Sequence, residues 1–343
     1  MSSLPPLRYI RKRLAAPQIS AADIHPEAKE VEWLSDWKPG NFFSLPSEVP
    51  LSTHPLYVEG IIFGIDAASC AAVRALDIEK NSLCLDLCCA PGGKTLLIAE
   101  LTEGGVVGVD ISKERLLTTR SIMKRWKNEN KPILVREDGR FFEPMHALSF
   151  DEEASLAGKR SRLAWKRRRA NSITKVSEFM GERTLFDRVL VDAECTHDGS
   201  LRHVAKQEGK MFKMSKEEHQ SSSSFKEFRS PWTDRESELF DLQLGLLKNG
   251  YKNLQIGGVL VYSTCSGNSA QNENIIRAFL KQSTEANDCF PQLEPLPFNL
   301  ESCKATEIKI DSEKIPCACF FDPHITQTGG LFICRLRKQR IDK

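Results

Sequence analysis

Leu85-Asp86-Leu87-Cys88-Cys89-Ala90-Pro91-Gly92-Gly93-Lys94-Thr95 is the stretch whose reading decides the fold. It follows a short apolar run and precedes the helical Leu96 to Leu101, so a strand passes through a glycine turn into a helix. In a parallel sheet the carboxyl end of the first strand is where cofactors bind, and glycine at the turn lets backbone amides approach a ligand closely. A nucleotide-like cofactor is the natural inference. The spacing comes close to the phosphate-binding pattern G-x-x-x-x-G-K-[ST], with Cys88 at the first glycine position and Pro91 inside the loop. Val189-Leu-Val-Asp192 mimics the apolar strand and acid that hold magnesium in P-loop enzymes, so a P-loop NTPase is a competing reading.

Outward from this loop the pattern is α/β. Strands are expected at 83–87, 106–109, 132–135, 186–192 and 258–262, with helices over 113–127 and 234–251. Such alternation implies a parallel sheet with helices on both faces, and the apolar runs Val189-Leu-Val and Val259-Leu-Val suit strands covered on both sides. Two apolar runs near the carboxyl end, separated by Gly329-Gly330, read as antiparallel strands finishing the sheet. The second strand ends in Asp110, where a carboxylate takes the ribose hydroxyls of an adenosine. After the third comes Asp138, suited to the adenine amino group or, on a plainer reading, to capping a turn. A series of acids at strand ends suits a cationic adenosyl cofactor better than an anionic triphosphate. Past the fourth and fifth strands lie Asp192-Ala-Glu194-Cys195 and Ser263-Thr264-Cys265-Ser266. Adjacent strands bring both thiols to one rim. A core cysteine falls within a strand's apolar run, whereas these lie beyond it among polar residues.

The length of 343 residues allows one large domain or two. Hydrophobic residues at 41% and charged residues at 27% are those of a soluble globular chain, and a net charge of +2 gives no electrostatic clue to a partner. Eleven cysteines without paired C-x-x-C spacing argue against a disulfide framework and against a metal site, and point to reduced thiols in an intracellular compartment, with nucleus, cytoplasm or an organelle open. No window is long and apolar enough for a membrane span. Arg8, Arg11, Lys12 and Arg13 read as a disordered basic tail or as part of an organelle transit peptide. Residues 1–55 are expected to be an irregular extension, and 56–340 one domain carrying surface insertions at about 143–183 and 203–232. The first insertion holds seven basic residues between Lys159 and Arg169, either a solvated face or import signal, or a phosphate contact.

Taken together, these motifs resemble the cytosine-5 RNA methyltransferases of the RsmB/NOP2/Sun group. The resemblance runs from about Leu56 to Lys338 and includes Asp66-Ala-Ala-Ser69, Asp86 to Thr95, Asp110, Asp138, Asp192 to Cys195, Gly257 to Ser266, Asn272-Glu273 and Gly329 to Arg337. It implies a Rossmann-like class I methyltransferase with a seven-stranded, mostly parallel sheet and a terminal antiparallel hairpin. It also implies S-adenosylmethionine as donor and RNA, rRNA or tRNA, as substrate. The cofactor set it implies is Cys88, Cys89, Ala90, Pro91, Gly92, Gly93, Lys94, Asp110, Arg115, Asp138 and Asp192. Carbon 5 of cytosine is a poor nucleophile until a thiolate adds to carbon 6. The resemblance assigns that attack to Cys265, protonation at N3 to Asp192 and the release step to Cys195, with Lys94 placed to depress a thiol's pKa or orient the base. Two departures stand out. Glu194 occupies the place of a usual proline, and Thr196-His197-Asp198-Gly199 replaces a Ser-Gly-Thr-Gly-like run; His197 is a proton carrier or a turn residue. The front is also short for an RNA-recognition region, so substrate selection falls to the insertions or to a partner protein. A methyltransferase for DNA or protein, and a catalytically weakened RNA-binding or assembly factor, are the other readings.

Overall fold

Valine- and leucine-rich runs bounded by glycine and acids become strands because both of their faces are covered, and Val106, Val107, Val189, Leu190, Val191, Leu260 and Val261 are all fully buried. A computed structural model of the chain describes residues 7–37, 41–126, 130–150, 175–199, 235–283, 289–310 and 316–341. The central strands are β5 (Cys84–Asp86), β6 (Val106–Val109), β7 (Ile133–Val135), β8 (Phe186–Asp192) and β9 (Leu254–Thr264). They are parallel throughout, in the spatial order β7-β6-β5-β8-β9. Helices Lys113–Trp126 and Glu236–Lys252 lie within a residue or two of the expected ranges. The chain runs from β5 outward through β6 to β7, then returns to the other side of β5 as β8. That reversal makes the carboxyl end of β5 the topological switch point, where α/β sheets open a crevice for ligands.

Beyond β9 the sheet turns antiparallel through β13 (Leu331–Arg340), β12 (Ala318–Phe321) and β11 (Thr306–Glu307), with β10 (Cys289–Leu293) also on β13. The expected terminal hairpin is β12 and β13. The sheet has nine strands among the described residues, in place of the seven expected, and is mixed rather than mostly parallel. The excess comes from the length of β13. Its first residues pair with β12 on the edge away from β9, and its last five, from Leu336 to Arg340, pair with β10. Neither β10, which contains Pro291, nor the two-residue β11 has a periodic apolar pattern of its own. An edge position tolerates the missing amide of that proline.

The largest correction concerns the front of the chain. Residues 7–64, expected to be irregular up to 55, form a four-stranded antiparallel sheet from β1 (Leu7–Lys12), β2 (Lys29–Glu30), β3 (Phe42–Pro46) and β4 (Ile62–Gly64), in the order β2-β3-β1-β4. Ile10, Ile24, Phe43, Leu45, Leu51 and Ile62 form its own apolar cluster. Tyr9, Val31, Leu34, Phe42 and Phe63 join the core of the large sheet. The basic residues read as a disordered tail are built into this unit. Arg8 donates to the Ser47 carbonyl at 2.8 Å, Lys12 to that of Ala16 at 3.1 Å and Arg13 to that of Gly60 at 3.2 Å. Arg11 is 1% exposed and donates at 2.8 Å to Glu100 of helix Gly93–Leu101, which also accepts from Leu14 N at 2.7 Å and from the indole of the buried Trp126. The basic run at 159–169 and the polar run at 206–230 lie outside the described residues.

Removing Glu100 leaves the Arg11 guanidinium buried without its counter-charge, which costs about 3–5 kcal/mol for such a pair. Glu100→Ala is therefore expected to lower unfolding stability by that amount in a urea titration, while the exposed Lys80–Glu103 pair, broken by Glu103→Ala, shifts it by well under about 1 kcal/mol.

Candidate active site

Five strand ends meet at one rim. Asp86 closes β5, Asp110 follows β6, Asp138 follows β7, Asp192 closes β8 and Cys265 follows β9, with Asp192 directly opposite Ser263 in the register. The Asp86 carboxylate is buried. It accepts from the Thr95 hydroxyl at 2.7 Å and from Cys88 N at 3.3 Å, and burial, against that hydroxyl's help, raises its pKa to about 7. Thr95 thus ties the start of helix Gly93–Leu101 to the strand before it, and the chain makes the tight turn between them with Gly92 at φ 102°. A side chain there meets Thr119 of the next helix within 2.6 Å, so glycine is required by both backbone and space.

Asp110 is buried and accepts from Ala90 N at 3.2 Å and Ser112 N at 2.9 Å. About two of a carboxylate's four acceptor directions remain for a ligand. Arg115 stands 3.5 Å from Asp110 and donates to the Ala90 carbonyl, bracing the loop from the far side. Cys88 and Cys89 are pushed far up as thiols by burial, and Cys89 packs with Leu116 and Leu134. Asp138 lies next to Arg140, which contacts both carboxylate oxygens at 2.6–3.1 Å. That pairing holds its pKa below the usual range and leaves Asp138 less open to a ligand than the sequence alone implies.

Lys94 leaves the loop toward Asp192, not toward a phosphate site. Its ammonium is 2.7 Å from Asp192 Oδ2, while Asp192 Oδ1 accepts from Ser263 at 2.7 Å. Burial works against the ammonium, yet Asp192 outweighs it and the Lys94 pKa is raised. Beside this pair sit the two thiols. Cys195 Sγ is 3.0 Å from Cys265 Sγ, and His197 Nδ1 is 2.8 Å from Cys265 Sγ and 3.6 Å from Cys195 Sγ. Hydrogen bonding from Cys195, opposed by burial and reinforced by His197, lowers Cys265 to about 6. The same bond and burial push Cys195 well above its ordinary value. The surroundings thus favour the charge on Cys265 and the proton on Cys195. These three atoms lie within 4.8 Å of one another. Their separations are those of hydrogen bonds, shorter than the roughly 3.8 Å between sulfurs sharing a tetrahedral zinc.

The loop carrying Cys195 and His197 is held by groups that sequence reasoning did not single out. Gln243 donates to the Glu194 carbonyl at 2.8 Å, and Gln271 accepts from Thr196 N at 3.1 Å. Gly199 N donates to the Cys265 carbonyl at 3.1 Å, Gly330 N donates to the Gly199 carbonyl at 3.0 Å and Gly329 N donates to Asp66 at 2.9 Å. Gly329-Gly330 was legible only as a turn. Its close approach to another loop has no local signal. Glu194 itself is exposed, and its charge in place of a proline favours the protonated form of His197.

The fold and this rim define a Rossmann-like α/β methyltransferase, and similar solved structures share that fold. A methyltransferase homolog protein from Pyrococcus horikoshii superposes with a TM-score of 0.61 at 23% identity, covering 97% of this chain and 87% of that one. NSun6 from the same organism, solved with SFG, gives 0.55 at 23% identity over 88% and 58%. The family model for 16S rRNA methyltransferase RsmB/F matches residues 73–154 and 153–337, and the chain belongs to that family. Similar curated proteins include a probable ribosomal RNA small subunit methyltransferase B of Bacillus subtilis, 27% identical over 80% of this chain and 47% of that protein. The 5-cytosine rRNA methyltransferase NSUN4 of Xenopus tropicalis is 26% identical over 79% and 55%. The chain thus spans about half the length of the curated relatives it matches.

A Cβ on Gly330 falls 2.0 Å from the Gly199 carbonyl oxygen. Gly330→Ala is expected to displace the 195–199 loop, cost about 1–3 kcal/mol in urea unfolding as overpacking does, and slow alkylation of Cys265 by iodoacetamide at neutral pH.

Proposed function

We propose that the chain methylates carbon 5 of cytosine in RNA, rRNA or tRNA, with S-adenosylmethionine as donor and Cys265 as the covalent nucleophile. The observation that carries this reading is the pair of thiols 3.0 Å apart at adjacent strand ends beside the Asp192–Lys94 pair, in surroundings that lower the pKa of Cys265 and raise that of Cys195. An ionised thiol is what the C6 attack requires. As the sulfur–carbon bond forms, the electrons of the 5,6 double bond move into the ring, and Asp192 with its Lys94 partner handles the proton at N3. Bound in the crevice, S-adenosylmethionine supplies the electrophilic methyl group that carbon 5 takes. Then solvent water takes the carbon 5 proton, the electron pair of that C–H bond restores the 5,6 double bond, and the bond to Cys265 breaks with its own pair returning to sulfur, next to the Cys195 thiol.

The donor chemistry of the crevice fits this cofactor. Asp110 keeps acceptor directions for the ribose hydroxyls, the 88–94 loop offers backbone groups at the switch point, and the rim acids Asp86, Asp110 and Asp192 favour a sulfonium cation over a triphosphate. Lys94, which a P-loop enzyme keeps for phosphates, is paired with Asp192. A reducing intracellular compartment suits two thiols this close, which oxidation would join.

Adenosylmethionine is expected to raise the melting temperature, and ATP with magnesium is not; the reverse pattern sinks the assignment. Asp110→Ala is expected to weaken cofactor binding by about ten- to a hundredfold, the range for losing hydrogen bonds to a charged group, as read by calorimetry. Cys265→Ala should abolish methylation with cofactor affinity kept, and Cys195→Ala should accumulate a covalent RNA adduct visible on a denaturing gel.

A further inference from the structure

His197 stands where the resembling sequences lead one to expect glycine, and its backbone keeps a glycine-like conformation, with φ 59° in the left-handed region. A histidine pays a conformational penalty there that glycine does not, and such an outlier persists where the surrounding structure holds it. What holds it is visible. The flanking Thr196 is bound to Gln271 and Gly199 to the Cys265 carbonyl, and the ring that the strained backbone projects meets the Cys265 sulfur at 2.8 Å.

We propose that His197 is a catalytic base: its Nδ1 takes the proton of the Cys265 thiol, so that the nucleophile waits as a thiolate beside an imidazolium before the RNA base arrives. This rests on the reading of Cys265 as nucleophile and adds the group that activates it. The proton moves from Sγ to Nδ1 while sulfur keeps the bonding pair. That pair then forms the bond to carbon 6. When the bond breaks at release, the pair returns to sulfur and the imidazolium again offsets its charge, so the histidine ends each cycle as it began.

The rim's other cations are each beside an acid, Lys94 at 2.7 Å from Asp192, Arg140 at 2.6 Å from Asp138 and Arg115 at 3.5 Å from Asp110, which leaves the thiolate in need of a further positive group. The neighbours all bear on the pair. Cys195 and His197 stabilise the thiolate while Asp192 opposes it. The imidazolium is favoured first by its bond to Cys265, against burial, and then by the charge of Glu194, with Arg115 opposing. Glu194 therefore has a use in this chain that the usual proline does not offer. With Cys265 lowered to about 6 and His197 raised, the ion pair forms as pH rises through about 6 and is lost again as pH rises through the raised His197 pKa, where the imidazole becomes neutral.

The test needs neither RNA nor cofactor. Iodoacetamide alkylation of the reduced full chain, mapped to the Cys265 peptide, is followed from pH 5 to pH 9. Wild-type reactivity should rise through about pH 6. In His197→Ala and His197→Gly, the latter free of backbone strain, it should rise only toward the ordinary thiol range near about 8.5, with the rate at pH 6.5 down about tenfold or more and partly restored by added imidazole. Single-turnover methylation should show the same displacement, recovering at high pH. A wild-type alkylation profile in both variants overturns the role of His197. Methylation surviving in Cys265→Ala overturns the nucleophile reading instead, so the two failures are distinguishable.

Discussion

The reversal of strand order at β5 is the constraint on which everything else depends. Because β6 and β7 leave β5 on one side and β8 and β9 on the other, five parallel strands end on one rim with a crevice at its centre. β5 is only three residues long and wholly buried, so it contributes almost nothing but position. That position is enough to put a carboxylate from each of four strands, and a thiol from the fifth, within one site. The antiparallel strands serve the same end. β13 pairs with β9 along Phe332 to Arg337, and the Gly329-Gly330 turn before it reaches the loop of Cys195 and His197.

Gathering acids creates repulsion, and each carboxylate is met by its own donor. Thr95 meets Asp86, the amides of Ala90 and Ser112 meet Asp110, Arg140 meets Asp138, and Lys94 with Ser263 meets Asp192. These pairings sort the rim by function. Asp110 keeps room for a ligand, whereas Asp138 is largely taken. The Lys94–Asp192 pair holds its charges together, so the negative sulfur of Cys265 must be offset by the Cys195 proton and the His197 ring.

The parallel strands and the two long helices were legible because each carries its own signal, an apolar run or a helical period ended by glycine or acid. The sheet at the front was not. β1 reads Leu-Arg-Tyr-Ile-Arg-Lys, and its charged residues disguise a strand whose Arg11 is buried against Glu100, a partner far along the chain. The same holds for β10 and β11, which take the edges that a long β13 and the strand β12 offer them. In the site, the thiols and acids could be named from their places after strands. The supports Gln243 and Gln271 could not, since nothing local marks a residue whose partner is distant in sequence.

By itself the sequence determined the α/β class, the cofactor loop and which cysteines lie beyond the strands, because periodicity and turn chemistry are local properties. The tertiary structure decided which charges pair, how far Asp138 is free, and that His197 faces a sulfur and not solvent. Those outcomes depend on distances between segments far apart along the chain, and a few tenths of an ångström there separate a hydrogen bond from none.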